Sequence, residues 1–579
     1  MATKTKVAFR IRLIAGVVIF VALVLIGRLY FLQIVHGSDY RRQAESQYVK
    51  QSTNQIDRGA IYFTGKDGTR ISAATISSGY VVVINPKLLT NPEDTYVSLQ
   101  KYIPELDKEM FLKKAQVEGS VYQEVAQQVV SETGDNISKL KLPGVQVLGS
   151  HWRYYPGQAL AAQTIGFLGY AKDGNTLAGR YGLERFYDSA LSRADGGLYV
   201  NFFADLFTNI RSQLSPDTTE PGADVITSLE PSVQQFLEGT LKKYSDDWQA
   251  DTIGAIIMDP KTGAIIAMAS RPGFDLNNFK NADPEYFANP LVERVYEFGS
   301  TMKAITMAAG IDSGAVTAKT TYNDKGYIIL DGARINNHDL KGRGVVPMQE
   351  VLNQSLNTGV SFIVAKMGTQ KFAEYLKRFG ITEETGIDVP NEASPLISNL
   401  TSPRAVEYAT ASFGQGIAIT PIAMTRALAT LANGGVVPGP HIAAELQYGG
   451  GITKKLGWSP PRRAITSEST EEVTRMLVAV VDDALKGGAI KMRDYTIAAK
   501  TGTAQIARPD ARGYYTDRYL HSFFGYFPAY DSKFLVFFFA VNPKGAKYAS
   551  ETWTEPFMKT THFLINYYSI PPDRAPTGE

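Results

Sequence analysis

The chain has 579 residues, room for two or three domains, and its 44% hydrophobic and 20% charged content is globular rather than disordered composition. Lys and Arg number 59 against 57 Asp and Glu, so no global basic field argues for nucleic acid. The absence of cysteine removes thiol catalysis, disulfides and Cys-ligated metal; the 6 histidines contain no pair at i, i+3 or i+4, and no GxGxxG or GxxxxGKS/T run supports nucleotide binding.

The first 12 residues carry Lys4, Lys6, Arg10 and Arg12 and no acid. Residues 13–35, LIAGVVIFVALVLIG followed by Arg28 and LYFLQIV, are long enough for a helix of about 34 Å, against a hydrocarbon core of ~30 Å. Arg28 sits near the exit end, where a long side chain reaches the headgroups. The positive-inside rule puts residues 1–12 in the cytoplasm and the rest outside. A cleaved signal peptide shares the basic and apolar regions, but no A-x-A-like site follows; GRLYFLQ does.

Residues 36–220 mix strand-like runs (YVVVINP, VQVLG, QTIGFLGY) with polar helical stretches, an α+β domain. Ser212–Asp224, rich in Ser, Thr and Pro, reads as a connector. From 221 to 566 the texture changes. TIGAIIMDPKTGAIIAMAS is a hairpin turning at Asp259–Gly263, TMKAITMAAGI and AMTRALATLANGG are apolar helices, and HSFFGYFP and KFLVFFFAVNP are strands, the last apolar on both faces and hence central. This predicts a mostly antiparallel sheet covered by helices, with the first hairpin beside the last strands. The tail 567–579 is Pro-rich and predicted to be disordered.

With His and Cys largely removed, covalent catalysis must activate Ser, Thr or Lys by other means. In Gly299-Ser300-Thr301-Met302-Lys303, Ser300 opens an apolar helix and Lys303 lies one turn on, on the same face. An amine drawn into such an interior loses its charge by desolvation and becomes a workable base for a serine hydroxyl. The plain alternative is an N-capping serine with a solvated lysine, as in Ser138-Lys139-Leu140-Lys141. Ser355-Leu356-Asn357 can present hydroxyl and amide to one cleft only where two helices meet, since i and i+2 do not share a helix face; Asn357-Thr358-Gly359 reads as a turn. Ser52-Thr53-Asn54 is its unremarkable counterpart.

Lys500-Thr501-Gly502-Thr503 lies in the strand YTIAAKTGTAQIA, with Lys500 and Gly502 on one face. Gly502 would leave that face open to an extended peptide, and the lysine and two hydroxyls suit a terminal carboxylate. Lys261-Thr262-Gly263 in the hairpin turn repeats the letters without the setting. No combination of these counterparts reproduces the order of the three motifs, 55 residues from Ser300 to Ser355 and 143 from Asn357 to Lys500.

In these motifs, in SFGQGIAITP (Gly414-Gln415-Gly416), in RYYPGQALAAQTIGFLG and GLERFYDSAL, and in YLHSFFGYFPAYDSKFLVFFFAVNPK, the chain resembles the class B penicillin-binding proteins. The resemblance covers essentially the whole chain: a single-pass anchor, a non-catalytic pedestal and a transpeptidase domain of the penicillin-binding/serine β-lactamase fold. SLNTG and SFGQG are most similar to the division-specific septal branch rather than the elongation branch. Two positions depart from the family pattern: Phe298 stands where Pro is usual, and Phe63-Thr64 replace Asp-Arg.

The resemblance implies a D,D-transpeptidase without metal or organic cofactor. Ser300 would attack the D-Ala–D-Ala carbonyl of a peptidoglycan stem peptide, with Lys303 as base. Ser355 would protonate the leaving amine, Asn357 orient Lys303 and the substrate amide, and Lys500 tune Ser355. Thr501 and Thr503, flanking Gly502, would bind the carboxylate, and the N–H groups of Ser300 and Thr503 would form the oxyanion hole. It also implies covalent inhibition by β-lactams at Ser300, a plasma-membrane location at the septum, and a SEDS-type glycosyltransferase partner. A soluble β-lactamase, a bifunctional class A enzyme, a β-lactam sensor and a non-catalytic division scaffold fit less well: the chain has an anchor and a pedestal, no place for a glycosyltransferase domain, a short cytoplasmic segment and a complete set of motif residues.

Overall fold

A computed structural model describes residues 57–170, 177–192, 222–509, 511 and 513–574. The basic segment 1–12, the predicted span 13–35 and most of the connector lie outside the described residues. Among the described residues no helix is long and apolar enough to cross a membrane.

The chain forms two compact units. In the first, described over residues 76–152, the later half of the long strand β2 (Arg70–Ile84) pairs antiparallel with β3 (Gln123–Val129) from Tyr80↔Val129 to Ile84↔Gln123. Val82, Ile84, Leu99, Phe111 and Ile137 close its small core. The first five residues of the strand-like run YVVVINP end β2, and VQVLG opens β4 (Val145–Tyr154).

The second unit comprises residues 57–75 and 153–574. Part of the segment expected as pedestal therefore packs with the transpeptidase body. One strand pairing holds it there, and a buried ion cluster ties the expected pedestal's own segments together. Strand β1 (Ile61–Thr64) runs parallel to β5 (Asp224–Thr227), pairing Ile61 with Val225. Glu184, fully buried, accepts from Arg58 Nε at 2.7 Å and from Arg153 Nε at 2.6 Å. Phe63 is buried in the core and the Thr64 hydroxyl donates to the Thr227 carbonyl at 2.6 Å, so the two departing pedestal residues serve the strand pairing.

After helix α1 (Pro231–Trp248) come β6 (Thr252–Met258) and β7 (Ile265–Arg271), joined by the predicted turn, where Asp259 accepts from Lys261 N and Thr262 Oγ1. The helices α2 (Met302–Asp312), α3 (Asn357–Met367) and α4 (Pro421–Ala432) follow, then β8 (Ala498–Ala507), β9 (Tyr514–Phe527), β10 (Phe534–Val541) and α5 (Thr554–Tyr568). The five strands form an antiparallel sheet in the order β8-β9-β10-β6-β7, so the first hairpin does lie beside the last strands. Strand β10 is central and buried on both faces. Val536 and Phe538 share one buried cluster with residues of α1 and α5, while Phe537 and Phe539 belong to the larger cluster that includes Met302 and Ile305 of α2.

The tail departs from expectation. Helix α5 runs to Tyr568, Ile570 is buried, Asp573 accepts from Thr496 N at 2.8 Å, and Arg574 pairs with Asp482 at 2.7 Å. A charged pair and a capped strand end thus order residues 567–574 despite the prolines; 575–579 lie outside the described residues.

Candidate active site

Ser300 sits in a single tight turn, Gly299–Thr301, that leads directly into α2. The side chain is half-buried, and its hydroxyl has no hydrogen-bond partner among the described residues. The turn itself is held by backbone contacts. Gly299 has φ +61°, a conformation that favours glycine, and donates its N–H to Gly414 O at 3.1 Å. The Phe298 carbonyl accepts from Ser522 Oγ at 2.8 Å and from Thr301 Oγ1 at 3.2 Å. In place of the usual proline, Phe298 is buried and packs its ring edge-to-face on Phe537, with centroids 5.1 Å apart. The departure therefore ties the turn to the central strand.

Every residue from Met302 to Gly310 is buried, as the apolar run predicts, and Lys303 with them. Its Nζ lies 2.5 Å from the Ser355 carbonyl oxygen and 3.2 Å from Ser355 Oγ. Both oxygens face one amine because Ser355 adopts φ +54° between helix Met348–Asn353 and α3. This conformation is uncommon for a non-glycine residue and costs of the order of 1 kcal/mol. The Ser355 hydroxyl also receives Lys500 Nζ at 3.1 Å, and Lys500 reaches the Thr501 carbonyl at 3.1 Å.

The two lysines differ electrostatically. Burial, and then the nearby charge of Lys500, hold the Lys303 amine well below the ordinary lysine value. Burial alone lowers Lys500 to about 8. Burial and a neighbouring charge both disfavour the charged form of Lys303, whereas burial alone acts on Lys500, and one hydroxyl lies between the two amines. Such a chain can take a proton at one end and deliver one at the middle.

Asn357 opens α3, so the residues expected as a turn form the helix's first turn instead. Its Nδ2 donates to Asn336 O at 2.8 Å, and the hydrogen bonds of Lys303 Nζ go to Ser355 and not to Asn357. Behind it, Asp324 collects donors from the whole rim: Thr358 Oγ1 at 2.8 Å, Gly326 N at 2.9 Å and Asn337 Nδ2 at 3.0 Å to both oxygens. On the far side of the site His338 meets Tyr548 edge-to-face, with centroids 6.0 Å apart. Sequence reasoning named none of Asp324, Asn336, Asn337, His338 or Tyr548. Only the position of Thr358 directly after Asn357 offered a hint.

Strand β8 carries Lys500 and lies at the sheet edge, so its outer side is free of other strands. Gly502 does not leave an open face there. A Cβ on Gly502 would lie 2.5 Å from Phe298 O, 3.0 Å from Thr301 N and 2.3 Å from Ser522 Oγ. The missing side chain makes room for the nucleophile turn, and an added peptide must pair with the strand's edge instead. Thr503 Oγ1 accepts from Ala549 N at 3.0 Å, which leaves its O–H free to donate to a carboxylate. We expect Gly502→Ala to destabilise the domain by about 1–3 kcal/mol, as overpacking does, and to slow acylation at least tenfold. Thermal unfolding and the penicillin labelling rate check this; two unchanged values would refute the close packing.

A half-buried serine at a helix start, a buried lysine one turn on, and a second serine, between two helices, bonded to a lysine of an edge strand define a serine acyl-transfer enzyme of the penicillin-binding class. Residues 253–561 match the family model described as the penicillin binding protein transpeptidase domain, and residues 55–227 match the penicillin-binding protein dimerisation domain. The chain belongs to the penicillin-binding protein transpeptidase family, among the class B proteins. It is 31% identical to stage V sporulation protein D of Bacillus subtilis over 92% of this chain and 81% of that one. Identity to the peptidoglycan D,D-transpeptidase FtsI of Escherichia coli K12 is 25%, over 99% and 94% of the two chains. Penicillin binding protein 3 of Mycobacterium tuberculosis, solved with aztreonam, has the same fold (TM-score 0.68, 21% identity, 90% of this chain and 98% of that one).

Proposed function

We propose that this transpeptidase cross-links peptidoglycan stem peptides at the division septum, anchored by residues 13–35, with Ser300 as its nucleophile. The observation that carries the site assignment is the Lys303–Ser355–Lys500 chain beside an otherwise unbonded serine hydroxyl. Ser300 Oγ attacks the carbonyl carbon between the two D-Ala residues as Lys303 takes its proton. The C–N bond then breaks, the leaving D-Ala receives a proton through Ser355, and Lys500 regulates that hydroxyl by its charge. Thr501 and Thr503 hold the terminal carboxylate, and the N–H groups of Ser300 and Thr503 hold the oxyanion. The amine of a neighbouring stem peptide attacks the acyl-enzyme and releases Ser300. β-Lactams trap the enzyme at the same serine. A SEDS-type glycosyltransferase is the expected partner in the membrane.

The test supplies the purified chain with a donor peptide ending in D-Ala–D-Ala and an acceptor amine, followed by mass spectrometry. A penicillin-sensitive donor–acceptor product is expected. Absence of any product from folded protein would favour a scaffold, and hydrolysis alone would overturn the transfer step. Septal assignment is checked by imaging a fluorescent fusion, which is expected at midcell; a signal spread along the side wall would favour the elongation branch.

A further inference from the structure

One carboxylate ties the Ser300 turn to its two neighbours. Glu297, three residues before Ser300, accepts from Gly416 N at 3.1 Å and from the Tyr514 hydroxyl at 3.2 Å, both on Oε1. Its Oε2 is buried with no hydrogen-bond partner. Gly416 belongs to the loop Gly414-Gln415-Gly416, whose first residue receives the Gly299 N–H at 3.1 Å. Tyr514 begins β9 opposite Ala507, the last residue of β8. Glu297 thus joins the nucleophile turn, the glycine loop and the far end of the strand that carries Lys500–Thr503.

Burying a carboxyl without a cation costs free energy, and a neutral amide could make the same two acceptor contacts. The groups facing it are Tyr514 from β9 and, acting on Tyr514, Glu407 from helix Ala405–Ala411; Arg294 lies on its own segment and acts on Tyr296. Burial raises the carboxyl to about 7. A costly group three residues before the nucleophile, bonded to the loop that holds its turn, fits a functional role better than a structural one.

We propose that Glu297 is a positioning residue for acylation: its carboxylate fixes the Phe298–Ser300 turn against β8, and so sets the spacing of the Ser300 and Thr503 N–H groups around the developing oxyanion. The proposal rests on Ser300 as nucleophile. Both bonds to Glu297 are donated to one oxygen, so they strengthen when the carboxyl is ionised.

The test measures the pre-covalent dissociation constant and the first-order acylation constant separately, by stopped flow with a fluorescent penicillin, from pH 6 to 9. Glu297→Ala is expected to lower the acylation constant at least tenfold with the dissociation constant within twofold of wild type. Glu297→Gln should match wild type at pH 6, where the native carboxyl is largely neutral, and fall progressively behind above pH 7. Tyr514→Phe, lacking one of the two donors, should lose two- to threefold. The proposal is overturned if Glu297→Ala acylates within twofold of wild type, if the loss lies wholly in the dissociation constant, or if Glu297→Gln tracks wild type at every pH. Should the alanine variant fail to fold, the glutamine and phenylalanine variants decide alone. A Ser300→Ala variant that still labels would overturn the nucleophile assignment and the proposal with it, whereas an unlabelled Ser300→Ala beside an unimpaired Glu297→Ala overturns the proposal alone.

Discussion

Ser300→Ala is expected to take up no fluorescent penicillin, and Lys303→Met to take it up about 10²–10⁴-fold more slowly than wild type, the range typical of a lost general base. Methionine keeps the length and apolar stem of Lys303 among residues that are all buried, so the loss reads the amine and not a cavity. The pH profile separates the two lysines. Wild-type acylation should rise as Lys303 loses its proton, and fall above about 8 as Lys500 loses its charge. Lys303→Met removes the rising limb that belongs to the base.

To Lys303→Met, stability should not respond as activity does. The folded pKa of Lys303 lies below its unfolded value of 10.5, so between those two values the unfolded chain binds more protons than the folded one. Stability therefore rises with pH across that window as the penalty of stripping a proton from Lys303 disappears. Lys303→Met abolishes this component, and the variant should melt no lower than wild type at pH 7. A lower melting temperature together with unchanged labelling would remove Lys303 from the mechanism and make it a structural residue.

What was legible in the chain follows from how local each signal is. The unbroken apolar run of KFLVFFFAVNP, with no polar face, places β10 at the sheet centre, and the Asp259–Gly263 turn fixes the hairpin beside it. The motif serines and lysines could be picked out because their chemistry demands those residue types. Gly502 was misread because a missing side chain says that something approaches closely, and not what; here it is the Phe298–Thr301 backbone. Asn357 was expected to reach Lys303, but its partner is a carbonyl 21 residues earlier, on a rim that no periodicity describes. Order in residues 567–574 rests on Thr496 and Asp482, more than 70 residues away in sequence.

Asp324→Ala should be the most destabilising single change near the site, costing about 3–5 kcal/mol, because it strands several buried donors at once. Asp324 is 2% exposed. It receives Thr358 Oγ1, Gly326 N and both contacts from Asn337, and Arg343 N reaches its second oxygen at 3.1 Å. Its donors lie directly behind Asn336 and Asn357, so losing it frees the rim that holds the Asn357 amide, and labelling should slow by about one to two orders of magnitude even below the melting transition. Asp324→Asn keeps the shape but turns one acceptor oxygen into a donor against Asn337 or Arg343, and should cost less than alanine. Thr358→Val removes one hydroxyl at nearly constant shape, leaving the other donors in place. Because Asp324 and Thr358 are in contact, their effects should not add, and a double-mutant cycle by thermal unfolding reads the coupling directly. Additive losses, or an Asp324→Ala protein that melts and labels as wild type does, would mean that the rim is held by its backbone alone and that Asn357 owes its position to α3.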